Sequence, residues 1–177
     1  MASISGGRKF ESALRTIAAK VSKPATLRVG ILEGARYPNG TSVAMVAAIQ
    51  EFGAPKARIP PRPFFRNMIA AKKGEWPAAI AGLLKENDYD AEKALDIAGA
   101  AIAGQLRESI INTNAPPLRP ITLMLRKWFP DRVGMTGRDV GRAAAAVAAG
   151  ESFAGAPTKP LVWTGLLLNS VDHEVTS

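Results

Sequence analysis

Few side chains in this sequence could take part in a chemical reaction. Its one histidine, His173, falls in a predicted terminal strand, where a packing role is usual, and the sequence contains no cysteine nucleophile. The glycine-rich segment 134–141 lacks the pattern of a phosphate-binding loop and does not follow a strand, so we predict a flexible loop there. Together these features predict a protein that is not an enzyme.

The carboxylates Asp88, Asp90 and Glu92 are the strongest candidates for a metal site. Their spacing resembles the start of a calcium-binding loop, which requires a glycine at its sixth position and a glutamate at its twelfth. Here those positions hold Lys93 and Gly99. We therefore predict that Asp90 caps the start of a helix, and we predict no metal and no cofactor. A sparse hydrolase or nuclease site built on the same three acids stays open as an alternative.

Length and composition indicate one folded domain. The chain has 177 residues, 47% of them apolar, which favours a single domain with a buried core. No window of about 18 residues is uninterruptedly apolar, and residues 1–7 lack the apolar stretch of a signal peptide. We therefore expect no membrane association. The absence of cysteine excludes a disulfide framework.

The charge is unevenly distributed along the chain. Residues 1–74 carry a net charge of +10, residues 75–108 a net charge of −4, and residues 109–177 a net charge of +2. A chain with one basic and one acidic part can meet copies of itself, or a polyanion, in a preferred orientation. An uneven but simply solvated surface explains the same distribution.

Hydrophobic periodicity predicts an α+β fold: a small mixed or antiparallel sheet covered on one face by long helices. Strands are predicted near residues 26–32 and 170–175. Helices are predicted over residues 8–21, from a cap at Thr41 or Ser42 to Phe52, over 64–84 with a kink or restart at Trp76–Pro77, over 91–111, and over 121–129. The Gly/Ala-rich segment 130–158 is predicted to be a surface insertion or flexible loop, with a weakly anchored helix over 143–149.

A basic, proline-rich segment, residues 54–73, contains no acidic residue. Its cations are Lys56, Arg58, Arg62, Arg66, Lys72 and Lys73. Three interpretations remain open. The cations could neutralise nucleic-acid phosphates without regard to sequence. They could pair with carboxylates of a neighbouring subunit. Alternatively, Phe64 and Phe65 are buried and the cations are merely solvated.

Three blocks of the sequence resemble those of one protein family. Residues 48–54 (AIQEFGA) and 59–66 (IPPRPFFR) resemble the helix–Phe–Gly and I-P-P-R-P-F signature of neck and tail-completion proteins of long-tailed double-stranded DNA bacteriophages. Residues 116–120 (PPLRP) are similar to a proline-rich block of the same family, and residues 159–171 (KPLVWTGLLLNSV) to its final block. The motif positions are Phe52, Gly53, Pro61, Pro63, Phe64, Phe65, Thr164, Gly165, Leu167, Asn169 and Ser170. Trp163 departs from the family pattern, which usually has an acid there, and Arg119 replaces a small polar residue.

The resemblance implies a structural virion protein, assembled in the host cytoplasm and located at the head–tail junction or head-proximal end of the tail. It implies a homo-oligomeric ring with six- or twelve-fold symmetry. Other neck, head-completion, tail-tube or tail-terminator proteins would be its partners, and genomic DNA in the channel a further contact. A sequence-independent nucleic-acid-binding module that uses residues 54–73 is the alternative. We expect Glu replacements of Arg62 and Arg66 to impair assembly without unfolding the monomer.

Overall fold

The computed structural model describes residues 7–22, 24–31 and 34–176. It is an α+β fold, as predicted. Its helices are α1 (Gly7–Val21), α2 (Val43–Phe52), α3 (Phe64–Lys72), α4 (Trp76–Glu86), α5 (Ala91–Asn112), α6 (Pro120–Trp128), α7 (Gly137–Ala148) and α8 (Leu166–Asn169), and its strands are β1 (Thr26–Ile31) and β2 (Val171–Thr176).

The two strands come from opposite ends of the chain and pair with each other. They form an antiparallel pair in which Val29 lies opposite His173, and they are the whole sheet within the described residues. Both strands pack against α5, so the predicted sheet covered by a long helix is confirmed. Leu32, predicted to end the first strand, lies outside the described residues.

Helix α5 is the central element of the fold. Its Ile102, Ala103, Leu106 and Ile110 enter the main core, where Phe64 of α3 is also fully buried. The hydroxyl of Ser109 donates to the carbonyl of Phe64 (2.7 Å), which fixes α3 against α5. Burial of large apolar side chains on one stripe of α5 is the main favourable contribution to folding.

Helix α4 restarts the chain at the predicted Trp76–Pro77 step. Pro77 occupies the first turn, where its missing N–H costs no hydrogen bond. The indole N–H of Trp76 donates to Oε1 of Gln105 (2.9 Å), so α4 lies alongside α5. The next helix begins at the predicted cap, because the carboxylate of Asp90 accepts from the N–H of Lys93 (3.1 Å).

The prediction of a flexible loop at 134–141 is wrong, because α7 begins at Gly137. Thr136 and Asp139 form a capping box, in which each side chain satisfies a free N–H at the start of the helix. Hydrogen bonds from Thr136 are the main cause of a lowered pKa at Asp139. Helix α7 packs on α6 through a second, smaller core of Met124, Leu125, Ala143 and Ala146.

Gly99 sets the distance between α5 and the sheet. A Cβ at this position would lie 2.6 Å from Cδ1 of Leu27 and would also collide with the ring of His173. Only a residue without a side chain therefore allows the helix to approach both strands this closely.

We predict that Gly99→Ala destabilises the fold by roughly 1–3 kcal/mol, because the side chains of Leu27 and His173, or the strands that carry them, must move. Gly104→Ala is the matched control: it lies on the same helix with open space around it, and alanine should there stabilise the helix by about 0.5–1 kcal/mol. Urea unfolding of both variants measures the difference. Equal effects of the two substitutions would contradict the close contact.

Candidate assembly surface

Of the residues considered for a catalytic or metal site, His173 and Asp90 have structural roles, and Asp88 and Glu92 are exposed. The ring of His173 lies 3.1 Å from a carboxylate oxygen of Asp96 and packs over Gly99, and Asp90 caps α5. No group of three or more His, Cys, Asp or Glu side chains in residues 7–22, 24–31 and 34–176 is arranged to hold a metal ion.

Helix α2 buries its charged side chain and exposes two large apolar side chains. Its only charged residue, Glu51, is buried, whereas Met45 and Phe52 are 58% and 66% exposed. Val43 and Ala47 share the inner face with Glu51. Buried charges and exposed large apolar side chains are the two informative departures from ordinary burial. The outer face of α2 is therefore a candidate contact surface.

Glu51 is buried because it caps another helix. Pro63 precedes α3 and provides no side-chain acceptor, so the first N–H groups of α3 need one from elsewhere. The Glu51 carboxylate accepts from the N–H groups of Phe65 (2.9 Å) and Arg66 (3.2 Å). A negative charge at this end of a helix is also favoured by the helix dipole.

Arg66 connects this cap to the exposed face of α2. Its Nε lies 2.8 Å from Oε1 of Glu51, and its guanidinium carbon lies 5.1 Å from the centre of the Phe52 ring. Phe52 is thus held outward by a cation–π contact and remains solvent-accessible. Arg66 is exposed, and its ion pair is formed within the chain. Its contact with another molecule stays a prediction.

The prediction that Arg62 contacts another molecule is wrong. Its side chain is only 5% exposed. The guanidinium donates to the carbonyls of Pro116 (3.0 Å) and Pro117 (3.4 Å) and to Oε1 of Gln50 (3.1 Å). Burial lowers the pKa of Arg62. Replacement by Glu should therefore unfold the monomer, contrary to the expectation from sequence.

The remaining cations of residues 54–73 lie at the surface. Lys56 lies on a single 3₁₀ turn, Pro55–Ala57, and Arg58 follows that turn directly; both side chains are exposed. Lys73 is exposed at the end of α3. Lys72 is partly exposed and pairs with Glu75 (3.2 Å).

The motif positions of the first block have mainly structural roles. Gly53 ends α2 with a φ of 78°, and a Cβ there would lie 2.9 Å from the backbone nitrogen of Pro61. Phe64 is buried, and Phe65 packs edge-on against it at 6.5 Å between ring centres. Pro63 directly precedes α3. Among these positions, Phe52 is the large side chain left exposed.

The final motif block forms a tight turn before β2. Gly165 has a φ of 75°, and Leu167 fills the core. The hydroxyl of Thr164 accepts from the N–H of Leu166 (3.3 Å), and the hydroxyl of Ser170 donates to the carbonyl of Leu166 (2.7 Å). Asn169, at the end of α8, is exposed together with Thr164.

Two arginines bring the three motif blocks together. Arg62 joins the first block to Pro116 and Pro117 of the second. Arg126 joins α6 to the third block, because its guanidinium donates to the carbonyls of Lys159 (2.6 Å) and Pro160 (2.7 Å). We call this arrangement, Arg62 and Arg126 with their carbonyl partners, the arginine junction.

No role of Arg126 was predicted from the sequence. It is 4% exposed, and burial, followed by repulsion from Arg62 and Arg132, lowers its pKa to about 10. The available signal was its position in α6: it directly follows Met124 and Leu125, which lie on the buried side of the helix.

No family model, curated protein or solved structure matches the chain significantly. Within the described residues, no helix combines the length and apolar character needed to cross a membrane.

We predict that Arg62→Met costs roughly 2–4 kcal/mol of stability, because three partly buried hydrogen bonds of a buried guanidinium are lost. The matched control is Lys56→Met, which removes an exposed cation from the same segment and should change stability by less than about 0.5 kcal/mol. Chemical denaturation followed by circular dichroism compares the two. If Arg62→Met is as stable as the control, the arginine junction does not support the fold.

Proposed function

We propose that this chain is a structural subunit of a tailed bacteriophage that assembles at the head–tail junction or the head-proximal end of the tail. The exposed apolar face of α2, formed by Met45 and Phe52 beside Arg66, is the observation that carries this proposal. It supports a role based on contacts with other subunits. The particular virion location rests on the sequence blocks described above.

The outer face of α2 has the composition of an interface centre. Large flexible apolar side chains, an aromatic ring and an arginine are enriched at protein contacts. Covering the remaining exposed part of Phe52 or Met45 would contribute about 1–2 kcal/mol each. The Phe52–Arg66 stack holds the ring in one position before contact, which lowers the entropy cost of binding.

A ring formed by one kind of subunit requires two different complementary patches on each copy. The patch around α2 is basic, with exposed Lys56, Arg58 and Arg66 nearby in sequence. Helices α4 and α5 carry four exposed acids, Glu86, Glu92, Asp96 and Glu108, against two exposed lysines, Lys85 and Lys93, so acids are in excess there. This charge complementarity favours contact between the α2 face of one copy and the α4–α5 face of the next.

A nucleic-acid-binding role is the second candidate, and one observation favours it. Lys56, Arg58 and Lys73 are exposed, and none has an ion pair with an acid in the described part of the chain. Such cations can neutralise phosphates. In a ring around a channel, these side chains would contact DNA non-specifically.

We predict that Phe52→Ser weakens self-association at least tenfold while leaving the monomer folded, because the ring is mostly exposed. Phe153→Ser removes a less exposed ring from the segment after α7 and should leave self-association unchanged. Sedimentation velocity over a range of concentrations, with circular dichroism to check folding, measures both. Equal association of Phe52→Ser and the unmodified chain would contradict the assembly surface.

The virion role is tested separately in the phage that encodes this chain. Particles produced without it should show full heads that are not joined to stable tails, and restoring the gene should restore joining. Electron microscopy and plaque counts are the readouts. Joined, full-length and infectious particles in its absence would overturn the proposed location.

The nucleic-acid candidate predicts binding to duplex DNA of any sequence that weakens steeply with salt. Each neutralised phosphate contributes a slope of about −0.9 in log K against log salt concentration. A Lys56→Gln, Arg58→Gln double variant should then lose roughly two units of slope. Fluorescence anisotropy at several salt concentrations measures this, and absence of binding at low salt would exclude the candidate.

A further inference from the structure

Three arginines lie close together without a carboxylate partner. Within the described residues, no acid forms an ion pair with any of the three, Arg62, Arg126 and Arg132. Arg62 and Arg126 are bound by carbonyl groups and one amide oxygen. Buried cations normally have an anionic partner because their desolvation is costly. The positive charge here is therefore not compensated by this part of the chain.

Arg132 is held in place by aromatic rings. Its guanidinium carbon lies 4.8 Å from the ring centre of Trp163 and 5.2 Å from that of Tyr37. Its side chain makes no hydrogen bond to another described residue. A stacked guanidinium keeps its N–H donors available at the edge of the plane, in the geometry that binds carboxylate or phosphate.

Arg126 adds charge to the same place. Its guanidinium carbon lies 5.1 Å from the centre of the Trp163 ring, which Arg132 also contacts. The Nε atom of Arg126 is fully buried and has no hydrogen-bond partner in the described residues. Trp163 is thus shared by two cations, and its own N–H donates to the carbonyl of Phe129 (3.2 Å). The indole contacts both guanidinium groups but carries no net negative charge.

A small cavity opens between these groups. It has a volume of about 70 Å³, several times the roughly 15 Å³ that one water molecule requires. Its polar lining consists of Arg126, Arg132, Gln50, Tyr37 and Thr164. Because the Thr164 oxygen already accepts from Leu166, its hydroxyl hydrogen is free to donate. The lining therefore offers donors and positive charge, and no carboxylate.

We propose that this cavity binds an oxyanion, a carboxylate or a phosphate group, through the guanidinium edge of Arg132, with Thr164 as a second donor. Arg126 adds positive charge without giving up its carbonyl partners. The ligand is either a free inorganic anion or a carboxylate of a neighbouring polypeptide, since the same donors recognise both. This proposal is independent of the virion role and concerns a different surface from the outer face of α2.

The test measures thermal stability with sodium phosphate, sodium acetate and sodium chloride at equal ionic strength. Phosphate at tenfold excess over its dissociation constant should raise the Tm by roughly 3 °C above the chloride value. Arg132→Gln should abolish this increase, Arg132→Lys should reduce it, and the exposed control Arg138→Gln should retain it. Calorimetric titration of phosphate into each folded variant gives the loss of affinity directly.

Sedimentation with and without added anion distinguishes the two possible sources of the bound oxyanion. If the natural ligand is a free anion, phosphate stabilises the chain without changing its sedimentation. If it is a neighbouring carboxylate, phosphate or acetate competes and shifts assembled copies toward monomers. The proposal is overturned if neither anion stabilises more than chloride does, or if Arg132→Gln and Arg132→Lys keep the full increase.

Discussion

The burial of the Arg62 guanidinium is the constraint on which the rest of the structure depends. It joins the end of α2 to the segment before α6 through Gln50, Pro116 and Pro117. A charged group in this position requires every donor to be satisfied, which fixes the path of both segments. Glu51, the next residue after Gln50, is directed inward at the same point to cap α3. The two charged residues thus occupy the interior, and the outer face of α2 is left to apolar side chains.

The burial of charged residues and the exposure of apolar ones at α2 connect the fold to the proposed function. The chain has a proper core, in which Phe64, Leu106 and Ile110 are fully buried. Met45 and Phe52 are nevertheless exposed, because the inner face of α2 is occupied by the Glu51 cap and by small side chains. A monomer gains no stability from exposed rings of this kind, whereas an assembled particle can bury them. The basic segment that follows α2 adds orientation through charge. The α2 face is therefore our proposed contact surface, and it follows from the way the chain folds.

The parts of the fold that follow from local signals were predictable from the sequence. The strands at each end, the Ser42 and Asp90 caps, the restart at Trp76 and the Gly53 end of α2 all depend on residues close in sequence. The role of Arg62 was not predictable, because two of its three acceptors lie 54 and 55 residues away, and neither was that of Arg126. Helix α7 was predicted only over residues 143–149. Its first turns were missed because its alanines give no periodic pattern of large apolar residues, although Thr136 and Asp139 have the sequence pattern of a capping box.

Electron cryomicroscopy of the virion that contains this chain tests the central claim most directly. Our account predicts a ring of identical copies at the head–tail junction or tail end, in which Phe52 of each copy is covered by a neighbouring subunit. A particle in which this chain is absent, or is present with the outer face of α2 exposed to solvent in every copy, would contradict it.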